Sequence, residues 1–153
     1  MHEPLSESTD DVRVRPFEAC DHESWARMRS ALWPDQTPDD MARWLATDTT
    51  VTLVAVLPDG TLCGFVEVDE RPFAEGCETS PVAYVEGLYV EPEARRRGVA
   101  VALLYTAERW ARDRGYREIA SDADPENVAS HRTHVRAGFF VAGRAVLYAR
   151  RLS

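Results

Sequence analysis

Strands and amphipathic helices alternate along these 153 residues in the order β-α-α-β-β-β-α-β-α-β-β, which predicts a single α/β domain with a mixed sheet. Three observations carry that reading. Apolar runs of strand length (TLVAVL, VAYVEGLYV) and the alternating VRVRP are bounded by turn residues. Val99, Ala100, Leu103, Leu104, Ala107, Trp110 and Ala111 recur at the spacing of one helix face. No linker, repeat or low-complexity segment divides a chain whose length fits one domain.

The elements follow in order. Residues 1–11 are polar and acidic and are expected to be a flexible tail, with one domain over residues 12–153. Val12 to Pro16 alternates apolar and charged side chains, as a half-buried strand does. Asp21 is a candidate cap for a helix carrying Trp25, Met28, Leu32 and Trp33, which Pro34 ends. Thr37-Pro38 reads as an N-cap with proline at the first helical position, ahead of Met41, Trp44 and Leu45. Residues 52–57 and 61–70 flank Pro58-Asp59-Gly60, so they form a hairpin. A polar loop over residues 71–81 leads to a central strand at residues 82–90, where Gly87 marks a bulge or a close backbone approach. The long helix then closes at Gly115. A short strand at residues 118–121, a helix at residues 127–137 closed by Gly138, and two final strands at residues 139–141 and 146–150 complete the chain.

Charge narrows the function. Eighteen Lys and Arg against 26 Asp and Glu give a formal net charge of −8, a poor match for nucleic acid, whose phosphates need a positive field. A negative cleft concentrates cations, although acidity also serves solubility alone. Three cysteines without CxxC spacing and four histidines without HExxH predict neither a disulfide framework nor a metal site. The N-terminus lacks the basic and apolar regions of a secretory leader, and no run of about 18 apolar residues occurs, so a cytoplasmic protein with no membrane partner is expected.

The segment that carries chemistry is Arg95-Arg96-Arg97-Gly98-Val99-Ala100, between the central strand and the long helix. A helix start presents unpaired N–H groups and the positive end of the dipole, and Gly98 and Ala100 leave the backbone open to a pyrophosphate. An exposed basic cap would have the same composition. There is no GxxxxGK[ST], GxGxxG or GxSxG to compete with it.

R-R-x-G-x-A after a strand ending V-x-P resembles the acyl-CoA pyrophosphate loop of the GNAT N-acetyltransferase superfamily. Downstream, Asn127, Ser130, His134 and Gly138-Phe139 are similar to that superfamily's second helix motif. ETSPVAYVEGLYVEP at residues 78–92, ASDADPEN at residues 120–127 and the early LWP at residues 32–34 resemble one subgroup, the aminoglycoside 6'-N-acetyltransferases.

The resemblance implies a GNAT fold with about four helices and splayed strands forming an acyl-CoA cleft. The implied reaction is transfer of acetyl from acetyl-CoA to the 6'-amine of an aminoglycoside by direct attack. Leu88, Tyr89 and Val90 would pair with the pantetheine, with the Leu88 N–H near the thioester carbonyl. Arg96, Arg97, Gly98, Val99, Ala100 and Val101 would hold the pyrophosphate, and Asn127 would contact the pantetheine arm. Glu86 and Asp122 would hold substrate ammonium groups, and either could serve as the base; one of them could instead be an ordinary strand-end ion pair. Trp33 and Phe73 would wall the sugar rings, unless they are core. His134 stands where many members carry a tyrosine that protonates the thiolate, and it could equally be packing; Tyr148 is a second candidate acid.

The subgroup often has a glutamate where this chain has Gly143, so one acceptor contact is missing and Arg144 adds positive charge. A homodimer is also implied by the resemblance, as is the absence of any metal. The alternatives are acetylation of another amine (a polyamine, a small metabolite or a protein N-terminus) or a CoA-binding module without turnover.

Overall fold

The structure, a computed structural model, describes residues 12–153; the expected tail at residues 1–11 lies outside them. Strands β1 (Arg13–Pro16), β2 (Val51–Val56), β3 (Leu62–Arg71), β4 (Val82–Val90) and β5 (Ile119–Ser121) form one sheet in that order. The first four are antiparallel neighbours and β5 joins β4 in parallel, so the sheet is mixed as predicted. The helices are α1 (His22–Leu32), α2 (Pro38–Ala46), α3 (Val99–Asp113) and α4 (Val128–Arg136), with short 3₁₀ turns at Ala19–Asp21 and Pro92–Ala94.

The sheet is covered on both faces, so its central strands are apolar throughout rather than alternating. Leu53, Ala55, Cys63, Val66, Val68, Ala83, Val85 and Val90 pack with the stripe of α3, of which Leu103 and Ala107 are wholly buried. The opposite face carries Val54, Val56, Leu62 and Phe65 against Trp25 and Met28 of α1. The Thr37 cap and proline start of α2 form as expected, with Thr37 and Asp40 closing a capping box.

One buried charge cluster fastens α1 to the sheet. The wholly buried Glu67 of β3 accepts from Trp25 Nε1 at 2.8 Å, Arg29 Nε at 2.6 Å and Arg29 Nη2 at 2.8 Å. Burial pushes the Glu67 carboxyl up, against the downward pull of Arg29 and Trp25. The Arg29 guanidinium also lies 4.7 Å from the Trp33 ring centre.

Two expectations are corrected. Asp21 precedes α1, but its side chain does not cap that helix. Its carboxylate accepts from Arg15 at 2.7 and 3.0 Å and from the Glu18 N–H at 2.8 Å, closing the preceding 3₁₀ turn instead. The nearby cation captured the side chain, and the Arg15 hydrogen bond holds its carboxyl below the usual range. The two final strands do not form: residues 139–153 are neither helix nor strand. Their pattern is strand-like, but a strand needs an edge to pair with, and three-residue β5 offers little edge. Phe140, Val146, Leu147, Tyr148 and Leu152 are consequently exposed.

Glu67→Ala is expected to lower unfolding free energy by about 3–5 kcal/mol, because it leaves the buried Arg29 without its carboxylate. Urea denaturation measures this; a loss below about 1 kcal/mol would show that the cluster does not fasten α1.

Candidate active site

The site begins with a fork in the sheet. β4 and β5 are in register only at Ala83–Ile119, Tyr84–Ala120 and Val85–Ser121. Beyond Val85, β4 continues through Glu86 to Val90 beside β3 alone. The β3–β4 register slips between Glu67 and Val68, where Glu67 faces Gly87 and Val68 faces Val85, so Glu86 is the extra, bulged residue. Gly87 is required there: a Cβ on it would strike the Trp33 ring, 2.8 Å from Cζ2. The interruption seen in the sequence is therefore both a bulge and a close approach.

On the far side of the fork the chain turns through Pro92–Ala94 into α3. Arg96 has φ +67° and Gly98 φ +81°, two left-handed residues within three positions. A non-glycine residue there is strained, and such strain concentrates at ligand clamps. Gly98 precedes α3 without any side-chain cap, so no capping side chain occupies the first-turn N–H groups. Val99 and Val101 bury their side chains in the core, which leaves only their backbone for a ligand, and Ala100 packs partly against it. Arg96 and Arg97 are exposed beside this turn. This donor set fits a pyrophosphate anion.

Leu88, Tyr89 and Val90 lie on the part of β4 that has left β5, paired with Val66, Phe65 and Gly64 of β3. The Val90 carbonyl is already engaged, accepting from Arg95 Nε at 2.7 Å. Asn127 caps α4, its Oδ1 accepting from the Ser130 N–H at 3.0 Å, so its side-chain NH₂ is the part left to meet a ligand.

The acidic candidates face the same side but in different states. Asp122, just past β5, is exposed, and its Oδ2 accepts from the Tyr84 hydroxyl at 2.6 Å. Burial, then this bond to Asp122, pushes the Tyr84 phenol up to about 12, so it remains a neutral donor at working pH. Glu86 is held by Arg71, with Nε at 2.9 Å and Nη2 at 2.8 Å on its two oxygens. Glu86 is thus in an ion pair, but from the bulge in the middle of β4 rather than from a strand end. The Arg71 guanidinium lies 3.5 Å from the Tyr84 ring centre, which joins the two carboxylates into one network.

His134 reaches across from α4. Its Nδ1 lies 2.8 Å from the Ser130 carbonyl and its Nε2 2.8 Å from Ser121 Oγ. A carbonyl only accepts, so Nδ1 carries the proton and the Ser121 hydroxyl donates to Nε2. His134 therefore tethers α4 to the last paired residue of β5 at the apex of the fork. Tyr148 is 90% exposed in the unpaired C-terminal segment.

An open cleft of about 1480 Å³ is lined by Arg71, Phe73, Tyr84, Ser121, Asp122 and His134, together with the segment that includes Gly143; Glu86, Asn127 and residues 88–90 and 96–101 do not line it. Phe73 is 64% exposed and available as a wall. Trp33 packs against Phe65 and Gly87, behind Arg71 rather than in the cleft. Sequence reasoning missed Arg71, Tyr84 and Ser121. Tyr84 stands two positions before Glu86 and Ser121 one before Asp122, a signal that was present; nothing local ties Arg71 to a residue fifteen positions later. Among the described residues no cluster of three His, Cys, Asp or Glu could hold a metal, and no helix is long and apolar enough to cross a membrane.

Residues 17–139 match the model of the acetyltransferase (GNAT) family. The chain is 47% identical over 133 residues to an aminoglycoside N(6')-acetyltransferase type 1 of Klebsiella aerogenes, covering 82% of this chain and 88% of that one. Its fold is similar to the aminoglycoside 6'-N-acetyltransferase AAC(6')-Ih of Acinetobacter baumannii, with TM-score 0.82 and 30% identity over 93% of this chain and 99% of that one. It is similar as well to AAC(6')-Iy, solved in complex with the bisubstrate analogue CoA-S-monomethyl-acetylneamine, with TM-score 0.83 and 34% identity over 92% and 99% of the two chains.

Proposed function

The chain belongs to the acetyltransferase (GNAT) family, and from that premise we propose that it is an aminoglycoside 6'-N-acetyltransferase that confers antibiotic resistance in the cytoplasm. The observation that supports the reading is a left-handed turn opening α3 without a side-chain cap, together with a cleft that Asp122 lines. The relative at 47% identity gives it the acceptor class.

Acetyl-CoA supplies an acyl group activated as a thioester. The backbone from Arg96 to Val101, with the Arg96 and Arg97 side chains, would hold its pyrophosphate, and the strained turn at Arg96 and Gly98 is already shaped for this. Leu88, Tyr89 and Val90 would add main-chain hydrogen bonds along the pantetheine, and the Leu88 N–H would receive the carbonyl oxygen as charge builds on it. Asn127 would contribute its side-chain NH₂. Asp122 and Glu86 would draw the cationic acceptor into the cleft, with Phe73 as its apolar wall; Trp33 lies outside the cleft. The exposure of Asp122 and its hydrogen bond from Tyr84 support it as the carboxylate that would take the proton the amine gives up.

His134 has its Nε2 lone pair covered by Ser121, so it can donate toward the cleft only as the imidazolium. The exposed apolar side chains of residues 139–152 support a homodimer in which a second copy covers them; Leu147 alone is 91% exposed. Gly143, in place of an acceptor-binding glutamate, favours a second reading in which the acceptor is another cationic amine.

A thiol-release assay with acetyl-CoA separates these. CoA release with aminoglycosides bearing a 6'-amine, and not with matched 6'-hydroxyl compounds, is the expected result; release with polyamines alone would keep the fold and overturn the acceptor. Asp122→Asn should lower turnover at least tenfold while leaving acetyl-CoA affinity unchanged, as calorimetry would record; equal loss of both would make Asp122 structural. Gly98→Glu should weaken acetyl-CoA binding tenfold or more, since it adds a side chain at positive φ and negative charge beside the pyrophosphate. Unchanged affinity would remove the loop from the site.

A further inference from the structure

We propose that Arg71 is a resident counter-ion of the acceptor site, a specificity-determining side chain that a substrate ammonium must displace from Glu86. The inference rests on the reading of this cleft as the seat of a cationic acceptor. Its basis is the placement of Arg71 between Glu86 and the cleft. Arg71 ends β3 opposite Val82 of β4, and from there its side chain runs along β4, over the Tyr84 ring, to Glu86. Arg71, Tyr84 and Asp122 line the cleft; Glu86 does not.

The charges then count differently from the sequence. Glu86 and Asp122 alone would offer a cation two negative charges. With both Glu86 oxygens bound by Arg71, the network carries one net negative charge, centred on Asp122. A singly charged amine can be held by Asp122 and has little with which to break the ion pair. An acceptor with several ammonium groups can hold Asp122 with one and compete for Glu86 with another.

The exchange is feasible because the pair is partly solvated: the side chains of Arg71 and Glu86 are 42% and 26% exposed, and exposed pairs are weak. The displaced guanidinium also has a second resting place, since it already lies 3.5 Å from the Tyr84 ring centre, where cation–π attraction can retain it. Arg71 would thus select for the number of charges on the acceptor by setting a threshold at Glu86.

The test is a double-mutant cycle read by calorimetry at low and high salt, with neamine as a multiply charged probe and glucosamine as a singly charged one. Acetyl-CoA affinity reports that each variant is folded. Arg71→Gln is expected to bind neamine about threefold or more tightly at low salt, with the gain shrinking as salt screens it. Glucosamine should gain more, because Glu86 is then open to a single charge, which narrows the discrimination between the two. In the Glu86→Gln background, Arg71→Gln should give no gain, and Arg71→Lys should remain near the parent protein.

Weaker or unchanged neamine binding by Arg71→Gln would overturn the proposal and make Arg71 part of the receiving surface. A gain that survives Glu86→Gln would overturn it too, because the effect would then not act through Glu86. Failure of the aminoglycoside reading looks different: the parent protein binds acetyl-CoA but not neamine. The cycle then runs with spermine, where the same signs apply, and a parent protein that binds neither cation overturns both readings.

Discussion

The fully buried carboxylate of Glu67 is the constraint on which the site depends. It sits opposite Gly87, beside the slip in register that makes Glu86 a bulged residue, and it binds Trp25 and Arg29 of α1. Arg29 in turn packs on Trp33, whose ring fills the space that a side chain at position 87 would occupy. One buried ion pair therefore fixes how α1 lies on the sheet next to the bulge. Isolated in an apolar layer, such a charge is costly; with three donors at 2.6–2.8 Å it gives orientation rather than net stability.

From that bulge outward the fork separates two regions of different chemistry. One end is backbone: the stretch of β4 beyond β5, and the start of α3, which two left-handed residues precede. The other end is side-chain charge: Asp122 and Glu86, joined through Tyr84 and Arg71. Backbone donors suit an anion of fixed shape such as a pyrophosphate. Carboxylates on flexible arms suit ammonium groups whose positions vary among acceptors. The bond from Ser121 to His134 closes the apex between the two ends and holds α4 against β5.

The loop over residues 71–81 is tied down by charge as well. Glu118, just before β5, accepts from the Glu78 and Thr79 N–H groups at 2.8 and 2.7 Å and from the Thr79 hydroxyl, and these hydrogen bonds, with the Thr79 hydroxyl foremost, hold its carboxyl below the usual range. This anchors the far end of the loop that carries Phe73, while Arg71 anchors the near end. An acidic chain thus uses part of its negative charge to order its own backbone, and only the remainder is available to a cationic acceptor.

By itself the sequence determined the order of elements through α4, the period of the long helix face, the bounds of β4, the Thr37 cap of α2 and a glycine at the turn into α3. Each of these is local: propensity, spacing and capping act within a few residues. It also placed Glu86, Asp122 and His134 in motifs that resemble one acetyltransferase subgroup. Only the tertiary structure decided what those side chains do to one another. Arg71 reaches Glu86 fifteen positions on, Tyr84 reaches Asp122 thirty-eight on, and Ser121 meets His134 across two elements. Asp21 left its expected cap because Arg15 comes from another element. The final strands failed for the same kind of reason: residues 139–153 carry a strand's pattern, but pairing is a property of two segments, and the chain gives them no adequate edge.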